Sequence, residues 1–185
     1  KTGIASTLTY PASLPNEIEQ KIIEADNRYV ENSGLEFGPT HAEYLVNEET
    51  GEFYLVEIAC RGGGTLISSD IVKWVSGFDV YDAYLKCLKG EIVDITHVIP
   101  LKRSAELHFF EFGDGKIIEL NGFEEAARIK GVLMLDFNYK VGDIISSCKD
   151  DRSRQGFFIA LAQDNVELQK IVHDVCNTIS VKLVQ

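Results

Sequence analysis

His41-Ala-Glu-Tyr-Leu-Val46 and Phe53-Tyr-Leu-Val-Glu-Ile-Ala-Cys-Arg-Gly-Gly-Gly64 flank the turn Asn47-Glu-Glu-Thr-Gly51, and the pairing of these two runs is the most informative feature of the chain. Both runs, residues 40–47 and 53–60, alternate their side chains as strands do, and the residues between them are turn chemistry. With the turn centred near Thr50 the strands pair antiparallel, Glu43 faces Glu57 and His41 faces Ala59. Period two then predicts one face carrying His41, Glu43, Leu45, Leu55, Glu57, Ala59 and Arg61. Their neighbours Ala42, Tyr44, Val46, Tyr54, Val56, Ile58 and Cys60 go to the other, apolar face.

Carboxylates directly opposite each other on adjacent strands repel, so a sheet that keeps them there calls for positive charge between them. Mg²⁺ fits: it takes one or two carboxylates from a protein and completes its octahedron with substrate phosphates. A guanidinium and free backbone N–H groups just beyond the strand suit the same anion, and Arg61 with Gly62-Gly63-Gly64 stands there. Taken singly, these residues also describe a solvated hairpin with an Arg61–Glu57 ion pair, a flexible glycine turn and a hydrogen-bonded His41. A register slip of one residue would send Glu43 and Glu57 to opposite faces and remove the site.

At 185 residues, 45% of them hydrophobic, the chain can bury the core of one ordinary domain or two small lobes. A net charge of −11 without a cluster of Lys and Arg argues against nucleic acid or an anionic membrane as partner. No apolar run reaches the roughly 20 residues of a membrane span. Cys60, Cys87, Cys148 and Cys176 are widely spaced, which points to reduced thiols and a cytoplasmic location rather than a zinc site or a disulfide framework. The first residue is Lys1, and the chain opens inside an apparent strand, Gly3 to Tyr10, with nothing before it to pair with. The expectation is a fragment of a longer protein.

Asn16 with Glu19 predicts a capping box for a helix carrying Ile18, Ile22, Ala25 and Tyr29. Ser68 or Ser69 is the expected cap of a short helix ending at Gly77, and Asp79 the cap of the next, ending at Gly90. Pro100 marks a lobe boundary, and the expected division is 1–95 and 96–185. In the second part the pattern predicts a hairpin, Ala105 to Phe112 with Lys116 to Leu120, and strands at Gly131 to Phe137 and Phe157 to Ala162. Within a polar loop at 148–155, the charged stretch 149–154 reads as a solvated turn. Asp164 and Glu167 box a final helix, and a short strand, Val181 to Val184, closes the chain. The class is α+β.

Through Gly38-Pro-Thr-His-Ala-Glu43, Val56-Glu-Ile-Ala-Cys-Arg-Gly-Gly-Gly64 and Ser76-Gly-Phe-Asp79, the chain resembles the ATP-grasp superfamily, nearest to the carboxylate–amine ligases and the carbamoyl-phosphate-synthase-like proteins. The resemblance covers most of the chain and implies the C-terminal half of such a ligase: the later, antiparallel part of the ATP-binding fold and a small α+β lobe. It implies metal binding at Glu43 and Glu57, contact of Arg61 with the transferred phosphoryl group, cofactor contacts at Gly62 and Gly63, and His41 near the substrates. ATP with Mg²⁺, or Mn²⁺ in its place, and small carboxylate and amine substrates follow from the same likeness. So does an acyl-phosphate intermediate, with an N-terminal half of the same protein supplying the nucleotide lysines. An apolar face left open by truncation makes a homodimer one expected state. Many members carry Glu-x-Asn-x-Arg, whereas Ala59 has no ligand atom where the Asn would stand. A non-catalytic relative acting as a binding module, and a carbamoyl-phosphate type of chemistry, are the alternatives.

Overall fold

The computed structural model describes residues 4–185, so the start of the expected opening strand at Gly3 lies outside the described residues. Contacts divide the chain into two compact units, Ala12–Leu101 and a second made of residues up to Pro11 together with Lys102–Gln185. This differs from the expected division at 95/96, because the first strand, β1 (Thr7–Tyr10), pairs with a strand of the second half.

Within residues 12–101 the order is α1 (Asn16–Asn32), β2 (His41–Val46), β3 (Phe53–Ala59), one π-helical turn (Ile67–Ile71), α2 (Val72–Ser76) and α3 (Val80–Leu88). α1 begins without the expected Asn16 cap. Pro15 is extended at φ −57° and ψ 135°, and its carbonyl accepts from the N–H groups of Ile18 and Glu19 at 2.9 and 3.1 Å, so Asn16 is already helical. The helix buries Ile18 and turns Asp26 toward β2, where the Tyr44 phenol donates to its Oδ1 at 3.0 Å. Tyr29, expected on the apolar stripe, is exposed. Asp79 caps α3 as the spacing predicts, accepting from the Asp82 N–H at 3.0 Å, and Gly77 ends α2 in a left-handed conformation.

The second unit continues with β4 (Ser104–Phe109), β5 (Gly115–Asn121), α4 (Phe123–Ala127), β6 (Val132–Asp136), β7 (Ile144–Ile145), a 3₁₀ turn (Asp151–Ser153), β8 (Phe157–Ala162), α5 (Asn165–Thr178) and β9 (Ser180–Val184). Its larger sheet has the order β1-β4-β8-β6, and a three-stranded sheet runs β7-β5-β9, all pairs antiparallel. α5 lays Leu168, Ile171 and Val175 on Phe158, Ala160 and Ala162, and Phe110 joins the same core. Asp164 accepts from the Glu167 N–H at 2.8 Å, while Glu167 reaches back to the N–H of Gln163 rather than to the cap itself.

The expected hairpin of β4 with β5 does not form; the two strands belong to different sheets. Buried Gln155 explains the separation. Its Oε1 accepts from Phe112 N–H at 2.6 Å and its Nε2 donates to the carbonyls of Gly113 and Ser146 at 2.8 and 2.9 Å, which satisfies backbone groups that a hairpin ladder would have used. The 149–154 stretch is likewise more than a solvated turn. Arg154 donates to Ala5 O and to Asp151 at 2.8 Å each, with its guanidinium 3.4 Å over the Phe109 ring.

Candidate functional site

The β2–β3 pairing sets the geometry. Asn47 Oδ1 accepts from the N–H groups of Glu49 and Thr50 at 3.0 and 3.2 Å, and Gly51, at φ +72°, closes the turn by donating to Asn47 O at 2.8 Å. From that turn the register runs up the strands to Glu43 opposite Glu57 and His41 opposite Ala59, as the sequence predicts. Between the turn and the carboxylates the register shifts: Tyr44 lies opposite Leu55, so Val56 has no partner across the sheet.

The bulge corrects part of the expected facing. Paired residues share a face, so Leu55 joins Tyr44 and Val46, and Tyr54 joins Leu45 on the carboxylate side. Leu45 and Tyr54 are accordingly exposed, whereas Tyr44 meets the Phe53 ring edge-on at 6.0 Å between centroids. Desolvation first, and then the Asp26 carboxylate, raises the Tyr44 phenol above its ordinary pKa, so it stays a donor throughout the neutral range.

His41 is half-buried and its Nε2 stands 3.5 Å from Glu43 Oε1. Glu57 is exposed on the neighbouring strand. Arg61 lies two residues past the end of β3, in a bend, and its Nη1 donates to Gly62 O at 2.9 Å. Among the described residues, no three His, Cys, Asp or Glu side chains are gathered as a metal site. A divalent cation here would take oxygen from Glu43 and Glu57 and the rest of its shell from phosphate or water, a division that suits Mg²⁺. Ala59, opposite His41, contributes no ligand atom.

The glycine run is a packed turn, not a slack one. A Cβ on Gly62 would stand 2.7 Å from Ser68 Oγ and 3.0 Å from the Tyr81 hydroxyl; one on Gly63 would stand 3.0 Å from His41 Nδ1 and 3.2 Å from Ile67 Cβ. Of these three glycines, Gly64 alone has open space around it. The Gly63 N–H, expected to be free for an anion, donates to buried Ser68 Oγ at 2.7 Å. Thr65 and Leu66 then take left-handed φ values of 46° and 59°, strain concentrated beside the candidate site. Sequence reasoning missed Ser68 and Tyr81 as neighbours of the glycines. Ser68, followed by Ser69 and Asp70, reads as a helix cap, and nothing in that local pattern points back to Gly63.

Residues 108–184 match the family model of the L-amino acid ligase C-terminal domain 2. An L-amino acid ligase from Bacillus licheniformis superposes with a TM-score of 0.81 at 22% identity, over 98% of this chain and 45% of that one. The fold is that of the C-terminal part of an ATP-grasp ligase. Phosphoribosylglycinamide synthetase from Anaerococcus prevotii follows the same chain path at TM-score 0.77 and 14% identity, over 97% of this chain and 45% of that chain. Biotin carboxylase from Campylobacter jejuni does so at 0.67 and 16%, over 97% and 40%. This chain therefore spans less than half the length of each of these three proteins. No curated protein matches its sequence.

Proposed function

We propose that this chain supplies the metal-binding side of an ATP-dependent carboxylate–amine ligase. The observation that carries the reading is the pairing of Glu43 with Glu57 next to Arg61 and a tightly packed glycine turn. Mg²⁺ between the two carboxylates would neutralise oxygens of the β- and γ-phosphates. Mn²⁺, equally suited to oxygen ligands, would serve in its place.

The protein's own residues act around that charge. Arg61 offers a fixed cation to the phosphoryl group as it moves from ATP to an oxygen of a substrate carboxylate, leaving ADP. An amine nitrogen then bonds to the acyl carbon, the carbon–oxygen bond to phosphate breaks, phosphate leaves and the nitrogen gives up its proton. In this reading the backbone of the glycine turn would face the phosphate, with the Gly63 N–H already held by Ser68, and His41, 3.5 Å from Glu43, would contact the substrates. Substrates in this reading are small carboxylates and amines. The nucleotide side of the site would come from an N-terminal half of the same protein, without which the 185 residues would not turn over.

The test uses the whole protein. ADP release is measured across a panel of amino acids with wild type and Glu57→Gln. Amino-acid-dependent ADP release that falls at least about 100-fold in the variant supports the assignment, since charge stabilisation of this kind is worth several kcal/mol. Equal turnover in the two proteins rejects it.

A further inference from the structure

We infer that Ser68 is a positioning residue of this site: by holding Gly63 it fixes the backbone that backs His41 and reserves the anion-facing role for the glycines on either side. Three observations converge. Ser68 is buried, and its hydroxyl accepts the Gly63 N–H at 2.7 Å. Gly63, held there, comes so near His41 that even a methyl group would sit 3.0 Å from Nδ1. His41 in turn presents its other nitrogen, Nε2, 3.5 Å from the Glu43 carboxylate.

The chain of contact runs from Ser68 through the Gly63 backbone and the His41 ring to Glu43, one of the two proposed metal carboxylates. A donor already spent on Ser68 does not serve an anion. The N–H groups of Gly62 and Gly64 have no hydrogen-bond partner among the described residues, and Gly64 also has open space around it. These flanking groups are the ones left to an anion. Ser68 itself belongs to the single π-helical turn, Ile67–Ile71, which starts after the two strained residues Thr65 and Leu66. Such turns aim side chains where an α-helical turn would not, and they recur at functional sites.

The catalytic part of this inference rests on the ligase reading, and the structural part does not. Glycine-selective ¹⁵N labelling of the whole protein reports the Gly63 amide, and imidazole resonances report His41. In Ser68→Ala, exchange of the Gly63 amide should accelerate roughly tenfold or more, because a buried acceptor is gone, and the His41 resonances should shift. Ser68→Thr keeps the hydroxyl and should restore both. Gly63→Ala, which leaves Ser68 intact, should displace His41 directly. In turnover, Ser68→Ala should lower kcat by about tenfold with little change in KM for the amine, as expected when a transition-state contact is loosened rather than a substrate pocket. Unchanged Gly63 exchange and His41 shifts in Ser68→Ala would overturn the inference. Shifts as expected in a protein whose wild type releases no ADP would instead overturn the ligase reading and leave the anchoring role of Ser68 standing.

Discussion

Glu43 on β2 lies directly opposite Glu57 on β3, and the bulge at Val56 begins immediately beyond that pair. The pairing sets stability against function. Like charges directly across a sheet cost on the order of 0.5 kcal/mol, so Glu57→Gln should melt slightly higher than wild type in the absence of divalent metal. Adding Mg²⁺ should raise the melting temperature of wild type by mass action and leave Glu57→Gln nearly unmoved. Calorimetry with and without Mg²⁺ checks both, and a variant that gains as much from Mg²⁺ as wild type would place the metal elsewhere.

Gly63 and Gly64 are neighbours with opposite tolerance. Alanine at 63 puts its methyl against His41 and Ile67 and should cost about 1–3 kcal/mol as overpacking. Alanine at 64 meets nothing within 4 Å, and its backbone is not in the left-handed region, so the change should be neutral or slightly stabilising. Urea denaturation of the two variants measures the contrast.

Gly122 makes the sharpest steric prediction. It sits at φ +82°, where a Cβ would come within 1.9 Å of the Thr178 carbonyl oxygen, backbone that has nowhere to go. Gly122→Ala should lose roughly 3 kcal/mol or more, whereas Gly90→Ala, at φ +80° in open space, should lose only the cost of the left-handed conformation, about 1 kcal/mol. Equal losses in the two proteins would mean that β5 and the end of α5 can part without penalty.

The start of α3 should carry a pH dependence. Lys73 Nζ, 2.8 Å from Asp79 Oδ2, and then the Asp82 N–H hold the Asp79 carboxyl below its ordinary value. A depressed carboxyl contributes its stability fully above the unfolded value near ~4 and loses it as pH falls through the lower folded value. Lys73→Met raises that folded value, so acid loss of structure should begin at higher pH than in wild type. Circular dichroism between about pH 2 and 6 would show the displacement; superimposable acid transitions would exclude a role for the pair.

How far the sequence could be read depended on the range of the interaction. The Glu43–Glu57 pairing was legible because alternation and an Asn-led turn are both local signals. The bulge was not, since an extra residue in a strand shows only once its partner is known, and Leu55 and Tyr54 were assigned to each other's faces in consequence. Asp79 declared its capping role three residues before Asp82, while Ser68 read as a helix cap and gave no sign of its bond back to Gly63. β5 pairs with β9, roughly sixty positions along the chain, and Gln155 takes up backbone groups of Phe112 and Gly113 between β4 and β5; neither fact leaves a local pattern. Arg154, reaching back to Ala5, escaped for the same reason.

β1 pairs with β4 across nearly a hundred residues, from Thr7 opposite His108 to Tyr10 opposite Ala105. The second unit is therefore discontinuous in sequence, with 12–101 threaded between its first strand and the rest. During synthesis β1 must wait for that whole stretch before its neighbour exists. A cut near residue 101, natural as it looks on a linear map, would release 102–185 with β4 as a bare edge: unpaired N–H and C=O groups ready to recruit another chain, and buried Glu106 without its Thr9 hydroxyl.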